Sequence, residues 1–223
     1  MRVFTDRATA GRDLAAAIRK RNLQGPLLVL GLPRGGVPVA FEVARALHAP
    51  LDVMVVRKIG MPGQPELAIG AIASGDVTVH EPGALARYAG LDLPFEQLAK
   101  REHIELARRE RVYRKDAPPL QAHGKTVILV DDGLATGATM IASVRAARKA
   151  GASVVVAAAP VASDEAAALV AGEADHLVIL ETPAFLFSIG QWYENFEQIE
   201  DAEVVALLER ARHAELSWET SPS

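Results

Sequence analysis

The chain contains no cysteine. That excludes disulfides, thiolate catalysis and cysteine-ligated metals. Its six histidines are scattered, with none of the spacing that a metal site uses. No apolar stretch reaches the ~20 residues that a bilayer-spanning helix needs, and the chain does not open on the basic-then-apolar pattern of a secretory leader. A cytoplasmic protein with no membrane partner is therefore expected. Strong one-sided charge is missing as well. The formal net charge is −4, which gives no electrostatic reason to expect nucleic acid. The G-x-G-x-x-G dinucleotide fingerprint does not occur.

Half of the 223 residues are hydrophobic and 23% are charged. That is the balance of a globular chain, and the length suits one large domain or one domain with a small appendage. The most informative stretch is Val127–Thr139, V-I-L-V-D-D-G-L-A-T-G-A-T. Four apolar residues without alternation read as a strand buried on both faces, as in a parallel sheet. The run stops at Asp131 and Asp132, a loop of small residues follows, and Met140–Ala150 reads as a helix closed by Gly151. In an open α/β sheet this order puts the loop at the carboxyl edge, where ligands bind. Backbone N–H groups of the loop and helix N-terminus suit a phosphate, and Thr136 and Thr139 add hydroxyl donors. The neighbouring carboxylates can accept from a diol. A phosphorylated sugar fits both parts. No G-K-S/T follows the loop glycine, so this is not a P-loop.

Leu27–Gly31 is a second buried-strand candidate. It leads through Leu32-Pro33-Arg34-Gly35-Gly36-Val37-Pro38 into a helix from about Val39 to Leu47. An arginine before two glycines lets backbone approach an anion and adds a fixed positive charge. Taken alone, a tight turn with a solvated arginine explains it equally well. Leu51–Val56 reads as a third strand ending at Arg57-Lys58, after which the glycines and prolines of Gly60–Pro65 read as a break. Leu67–Ala73 and Val77–His80 read as further strands. A glycine-rich excursion behind two cations suits a mobile lid over an anionic ligand, or a long hairpin loop with two surface cations.

Val127–Thr139 resembles the phosphoribosyl pyrophosphate (PRPP) signature of type I phosphoribosyltransferases: four hydrophobic residues, two acidic ones, then a loop ending T-G-x-T, matched here by Thr136-Gly137-Ala138-Thr139. Gly133 departs from it, since an aliphatic residue is commoner there. The resemblance implies the type I phosphoribosyltransferase fold, a central, mostly parallel sheet flanked by helices, with a flexible lid loop and a small C-terminal hood. It implies displacement of pyrophosphate from PRPP by a nucleobase-like acceptor, with Mg²⁺ held mainly by PRPP and water. It implies Asp131 and Asp132 on the ribose hydroxyls, the 5′-phosphate on the loop Ala135, Thr136, Gly137, Ala138 and Thr139, and Gly133 among the residues that bind PRPP. Arg34, Gly35 and Gly36 would take the pyrophosphate, in a loop that often carries a cis peptide in this family. Arg57 and Lys58 would close over PRPP, forming with the two aspartates the catalytic set. The block Arg57–Ala73 also looks like a subgroup of uncharacterised phosphoribosyltransferase-domain proteins, some fused to other enzymes. A PRPP-binding regulator without transferase activity would need the same loops and is the alternative. A hydrolase or phosphorylase acting on phosphoribosyl groups is a third reading.

The remaining segments complete a doubly wound pattern. Leu14, Ala15 and Ile18 mark a helix in Arg7–Arg21, with Thr5 or Asp6 as its cap. Arg2–Phe4 reads as a short edge strand. Gly83–Ala117 contains a helix of mixed charge, its arginines solvated or in a subunit contact, which leaves a homodimer open. Ser153–Ala158 and His176–Leu180 read as strands around a helix Asp164–Ala171. Five of the chain's eleven aromatics fall in Phe185–Phe196. They read as a packed cap, or as a hood in which Trp192 and Tyr193 stack the base. Asp201–His213 reads as a terminal amphipathic helix. Residues 1–183 are taken as the core and 184–223 as hood and terminal helix of the same domain.

Overall fold

The computed structural model describes residues 3–61, 64–75, 77–80, 95–115, 117 and 120–219. Five strands form its centre: β1 (Leu27–Gly31), β2 (Leu51–Val53), β6 (Thr126–Val130), β7 (Val154–Val161) and β8 (His176–Glu181). All their pairings are parallel, in the order β2-β1-β6-β7-β8. The order reverses at β1 and β6, so the carboxyl ends of these two strands open the crevice of a doubly wound sheet. Every residue of β6 is buried. Its side chains alternate, Ile128 and Val130 into one core and Val127 and Leu129 into the other, which is why Val127–Val130 carries no polar residue. The buried Thr126 that precedes them donates its hydroxyl to the Gln24 carbonyl. Helices α1 (Arg7–Arg19) and α2 (Gly36–Leu47) cover the first face, and α4 (Ala138–Lys149) and α5 (Asp164–Ala171) the second. Of the two candidate caps of α1, Asp6 fills the role: its carboxylate accepts from the Thr9 N–H at 2.6 Å.

A second, antiparallel sheet holds β3 (Val56–Met61), β4 (Gln64–Ala73) and β5 (Val77–His80). The expected single strand Leu51–Val56 is thus two strands in two sheets. The chain changes sheet at Met54–Val55, where the Val55 N–H donates to the buried Ser74 hydroxyl and the Ser74 N–H donates to the Val55 carbonyl. Met54 and Val55 are both buried, one in each core, so hydropathy does not fall at the crossing. The glycine–proline stretch also differs from the expected break. β3 runs through Met61 and β4 starts at Gln64, with register shifts around Gly60 that accommodate the extra residue as a bulge.

The mixed-charge helix is α3 (Phe95–Arg114); the part of that reading before Phe95 lies outside the described residues. The terminal helix α6 runs Asp201–Glu219, longer than expected, and Phe4 makes a single parallel bridge to Tyr193 rather than a strand. α3 braces the second sheet against the first. At its C-terminus Arg114 pairs with Asp52 of β2 at 2.9 Å, both side chains mostly buried. Tyr113 donates to Asp201 at 2.7 Å, and Glu102 holds Arg57 of β3 at 2.8 Å. Replacing Arg114 by Met would leave Asp52 with the Val53 N–H as its remaining donor. Urea denaturation should show a loss of roughly 2–4 kcal/mol, somewhat less than for a fully buried pair.

Candidate active site

Two loops leave the carboxyl edge side by side. After β6, Asp131 and Asp132 are followed by residues 133–137 and then α4, whose N-cap Gly137 has φ 72° and no side-chain capping bond. The loop is anchored from outside: the Leu134 N–H donates to the Val161 carbonyl, and the Ser163 hydroxyl donates to the Ala135 carbonyl at 2.8 Å. It curls around a cavity of about 170 Å³ lined by Asp131, Gly133 and the run Ala135 to Thr139. The Ala138 N–H makes a long bond to the Thr136 hydroxyl, 3.4 Å, and the N-terminus of α4 gives this cavity the partial positive character that a phosphate requires.

After β1 the chain passes Leu32 and Pro33 to Arg34, the Pro33–Arg34 peptide being cis. α2 then begins at Gly36, three residues earlier than expected. Here the absence of side chains is a contact requirement. A Cβ on Gly35 would lie 2.0 Å from Oδ2 of Asp132, and one on Gly36 would lie 2.5 Å from the Val130 carbonyl. The two loops therefore meet backbone to carboxylate. Arg34 stands at the rim, paired with Glu200 of the segment before α6 at 3.5 Å.

Asp132 is gripped from a third side by Arg7 of α1. Both Nε and Nη2 lie 2.9 Å from Oδ2. The hood comes in from a fourth: the Tyr193 hydroxyl donates to the Asp132 carbonyl at 2.6 Å. Burial and the neighbouring carboxylate push Asp131 well above the ordinary carboxylate value, although solvent still reaches one edge of the residue. Burial also raises Asp132, opposed by the charge and hydrogen bond of Arg7. Tyr193 is pushed up by burial and by Asp132.

The expected site residues fall into three groups. Asp131, Gly133 and the run Ala135–Thr139 line one cavity, Asp132, Arg34 and Gly35 line a second, and Gly36 packs against Asp131. Arg57 and Lys58, adjacent on β3, part company as strand neighbours must. Arg57 is held by Glu102, while Lys58 lines a cavity of about 260 Å³ shared with Ala138 and Arg145 of α4. Trp192 and Tyr193 are 4% and 5% exposed, packed with Phe4. Tyr193 reaches Asp132 only through its hydroxyl, and Trp192 lines a separate cavity with Phe185 and Phe187. Phe196, 37% exposed, lines a cavity of about 330 Å³ with Arg7, Arg34, Gly35 and Asp132. Gly133, the departure from the signature, has its explanation in Ile189 of the hood. A Cβ on Gly133 would meet that side chain at 2.6 Å, so Ile189 fills the space an aliphatic side chain there would take.

Sequence reading missed Arg7 and Ile189. Ile189 left no local signal. Arg7 left a weak one: an arginine in the first turn of a helix whose first turn carries no acid opposes the helix dipole.

The raised Asp131 carboxyl has a consequence for stability. A folded-state value above the unfolded one favours the fold below the ordinary carboxylate range, and that contribution is lost as pH rises through the raised value. Asp131→Asn keeps the acceptor for the Asp132 N–H (2.9 Å) and removes the charge. Its Tm should match wild type near about pH 4 and exceed it progressively towards neutral pH, each ~1 kcal/mol appearing as ~2–4 °C in thermal melts.

Residues 5–203 match the family model for the phosphoribosyl transferase domain. Two Mycobacterium tuberculosis proteins, from strains CDC 1551 and H37Rv and each provisionally named a phosphoribosyl transferase, are 49% identical to the chain over 213 residues, 95% of its length. The alignment takes in 47% of each relative, so the chain spans about half the length of the curated relatives it matches. The crystal structure of TT1426 from Thermus thermophilus superposes with a TM-score of 0.85 at 43% identity, covering 94% of this chain and 99% of that one. The matched residues include Arg7, both edge loops and the hood that meets them; with its central parallel sheet of the type I fold, the chain belongs to the phosphoribosyl transferase domain family.

Proposed function

We propose that this chain binds PRPP and transfers its phosphoribosyl group to a nucleobase-like acceptor, displacing pyrophosphate in a Mg²⁺-dependent reaction. The observation that supports this best is the closure of Gly35 onto Asp132. It sets a phosphate-sized loop, two carboxylates and a cationic glycine loop around one point. In this reading the 5′-phosphate lies on Ala135–Thr139, with the N–H groups of the first turn of α4 as donors. Asp131 and Asp132 take the ribose hydroxyls and offset positive charge on the ring as the bond to pyrophosphate lengthens. The bond from the anomeric carbon to the pyrophosphate oxygen breaks with its electron pair, and a ring nitrogen of the acceptor forms the new bond. Arg34 and the Gly35 N–H receive the departing charge, which requires Arg34 to release Glu200, while the Gly36 N–H stays with the Leu32 carbonyl.

The donor set fits a cation that arrives on the substrate. Asp132 is already engaged by Arg7, and Mg²⁺ commonly rides on phosphate oxygens and water. When bound it would neutralise part of the leaving pyrophosphate's charge. Lys58 is the β3 cation on the α4 side, while Arg57 braces the hairpin through Glu102 and reaches pyrophosphate only by leaving it. Phe196, with Arg7 over its ring and Tyr193 stacked on it, bounds the cavity in which a planar acceptor would sit.

Calorimetry with PRPP and Mg²⁺ tests the binding half of the proposal, and pyrophosphate release across a set of purines and pyrimidines tests transfer. Tight binding with no release from any base would favour the PRPP-binding regulator. Gly137→Val forces a branched residue to a positive φ beside Val170 and should abolish binding of both ribose 5-phosphate and PRPP while the protein stays folded. Lys58→Ala should leave the PRPP Kd within a few-fold of wild type. It should lower kcat about 10- to 100-fold, the ~1.4–2.7 kcal/mol of one transition-state contact. Equal losses in affinity and rate would make Lys58 a ground-state ligand.

A further inference from the structure

We propose that Arg7 is a positioning residue: from the first turn of α1 it holds Asp132 beside the ribose subsite and ties the hood segment 193–199 to it, so that the carboxylate and the acceptor wall form one unit. The ribose and acceptor assignments rest on the PRPP reading above; the tie does not.

The guanidinium spends its fork on three partners. Nε and Nη2 converge on Oδ2 of Asp132 at 2.9 Å, which leaves Oδ1 outside the clamp. Nη1 donates to the Glu197 carbonyl at 2.8 Å. The guanidinium carbon lies 3.9 Å from the centre of the Phe196 ring. Phe196 stacks on Tyr193 at 5.1 Å between ring centres, and the Tyr193 hydroxyl returns to the Asp132 carbonyl. The circuit Arg7–Asp132–Tyr193–Phe196 closes on itself, and residues of α1, the β6 edge and the hood all belong to it.

The side chain of Arg7 is only 9% exposed. A guanidinium taken out of water needs a partner for its charge and donors, and it stands at the helix end where the backbone dipole opposes it. Local unfavourability of this kind is expected where a residue serves a site. The charge is also informative. Arg7 opposes the rise that burial imposes on Asp132 and so favours its ionised form beside the ribose subsite. Lysine cannot reproduce the arrangement, because an ammonium is a point charge without the planar fork that reaches a carboxylate, a carbonyl and a ring face together.

Hydrogen exchange of the ligand-free protein, with PRPP calorimetry beside it, separates this role from simple packing. Arg7→Met should speed amide exchange in 193–199 by about tenfold or more while β7 stays protected, and should weaken PRPP binding about tenfold. Arg7→Lys should speed exchange in 193–199 to a similar extent, yet hold the PRPP Kd within about threefold through a Lys–Asp132 pair. Unchanged protection of 193–199 in Arg7→Lys would overturn the tie. So would faster exchange spread over the whole chain with equal losses of PRPP affinity in both variants, which would make Arg7 a packing residue. If wild type binds no PRPP, the function proposed above fails, and the exchange pattern of the variants still decides the tie.

Discussion

The architecture of the crevice depends on keeping one buried carboxylate in place. Asp132 stands where the β6 edge, the Arg34–Gly36 loop, α1 and the hood converge, and each contributes a contact that only its own residue type can make. Gly35 gives way to the carboxylate, Arg7 neutralises it, and Tyr193 fixes its backbone. Burying a carboxylate is costly unless it is paired and hydrogen-bonded. These contacts offset that cost and at the same time locate both loops. Asp131, next to it and without an arginine of its own, carries the strain of the pair as a raised carboxyl value.

The second sheet shows how one chain can offer rigid and adjustable parts to one site. The parallel sheet is held by unbroken ladders between two cores. The hairpin sheet joins it through the Val55–Ser74 exchange and is braced by the ion pairs of α3. Its strand geometry sends Arg57 and Lys58 to opposite faces, so one cation serves the brace and the other faces α4. Register shifts on both sides of Gly60 interrupt the β3–β4 ladder, where bulges increase the local twist.

Much of the site was legible before the fold. The buried run, the acidic pair and the small-residue loop of Val127–Thr139 lie within one strand–loop–helix unit, as do Arg34, Gly35 and Gly36. The chemistry of such a unit is local, so residue type and spacing express it directly. The crossing at Met54–Val55 was not legible, because hydropathy reports burial and both residues are buried on either side of the switch. Nor was the packing of Trp192 and Tyr193. An aromatic cluster signals apolar area but not which rings stay exposed, which are Phe185 and Phe187, nor which one borders Asp132, which is Phe196.

What the amino-acid sequence determined by itself is the α/β class, the strands of the parallel sheet and the two anion-suited loops, since these follow from hydrophobic period, glycine placement and turn chemistry within short segments. Tertiary structure alone decided the partners. It brought Arg7 to Asp132 across 125 positions and set Ile189 in the space beside Gly133. It also parted Arg57 from Lys58. The reason is physical: a charge or a gap in one segment states that something must meet it, but which distant segment does so depends on how the strands and helices stack, and no local pattern encodes that.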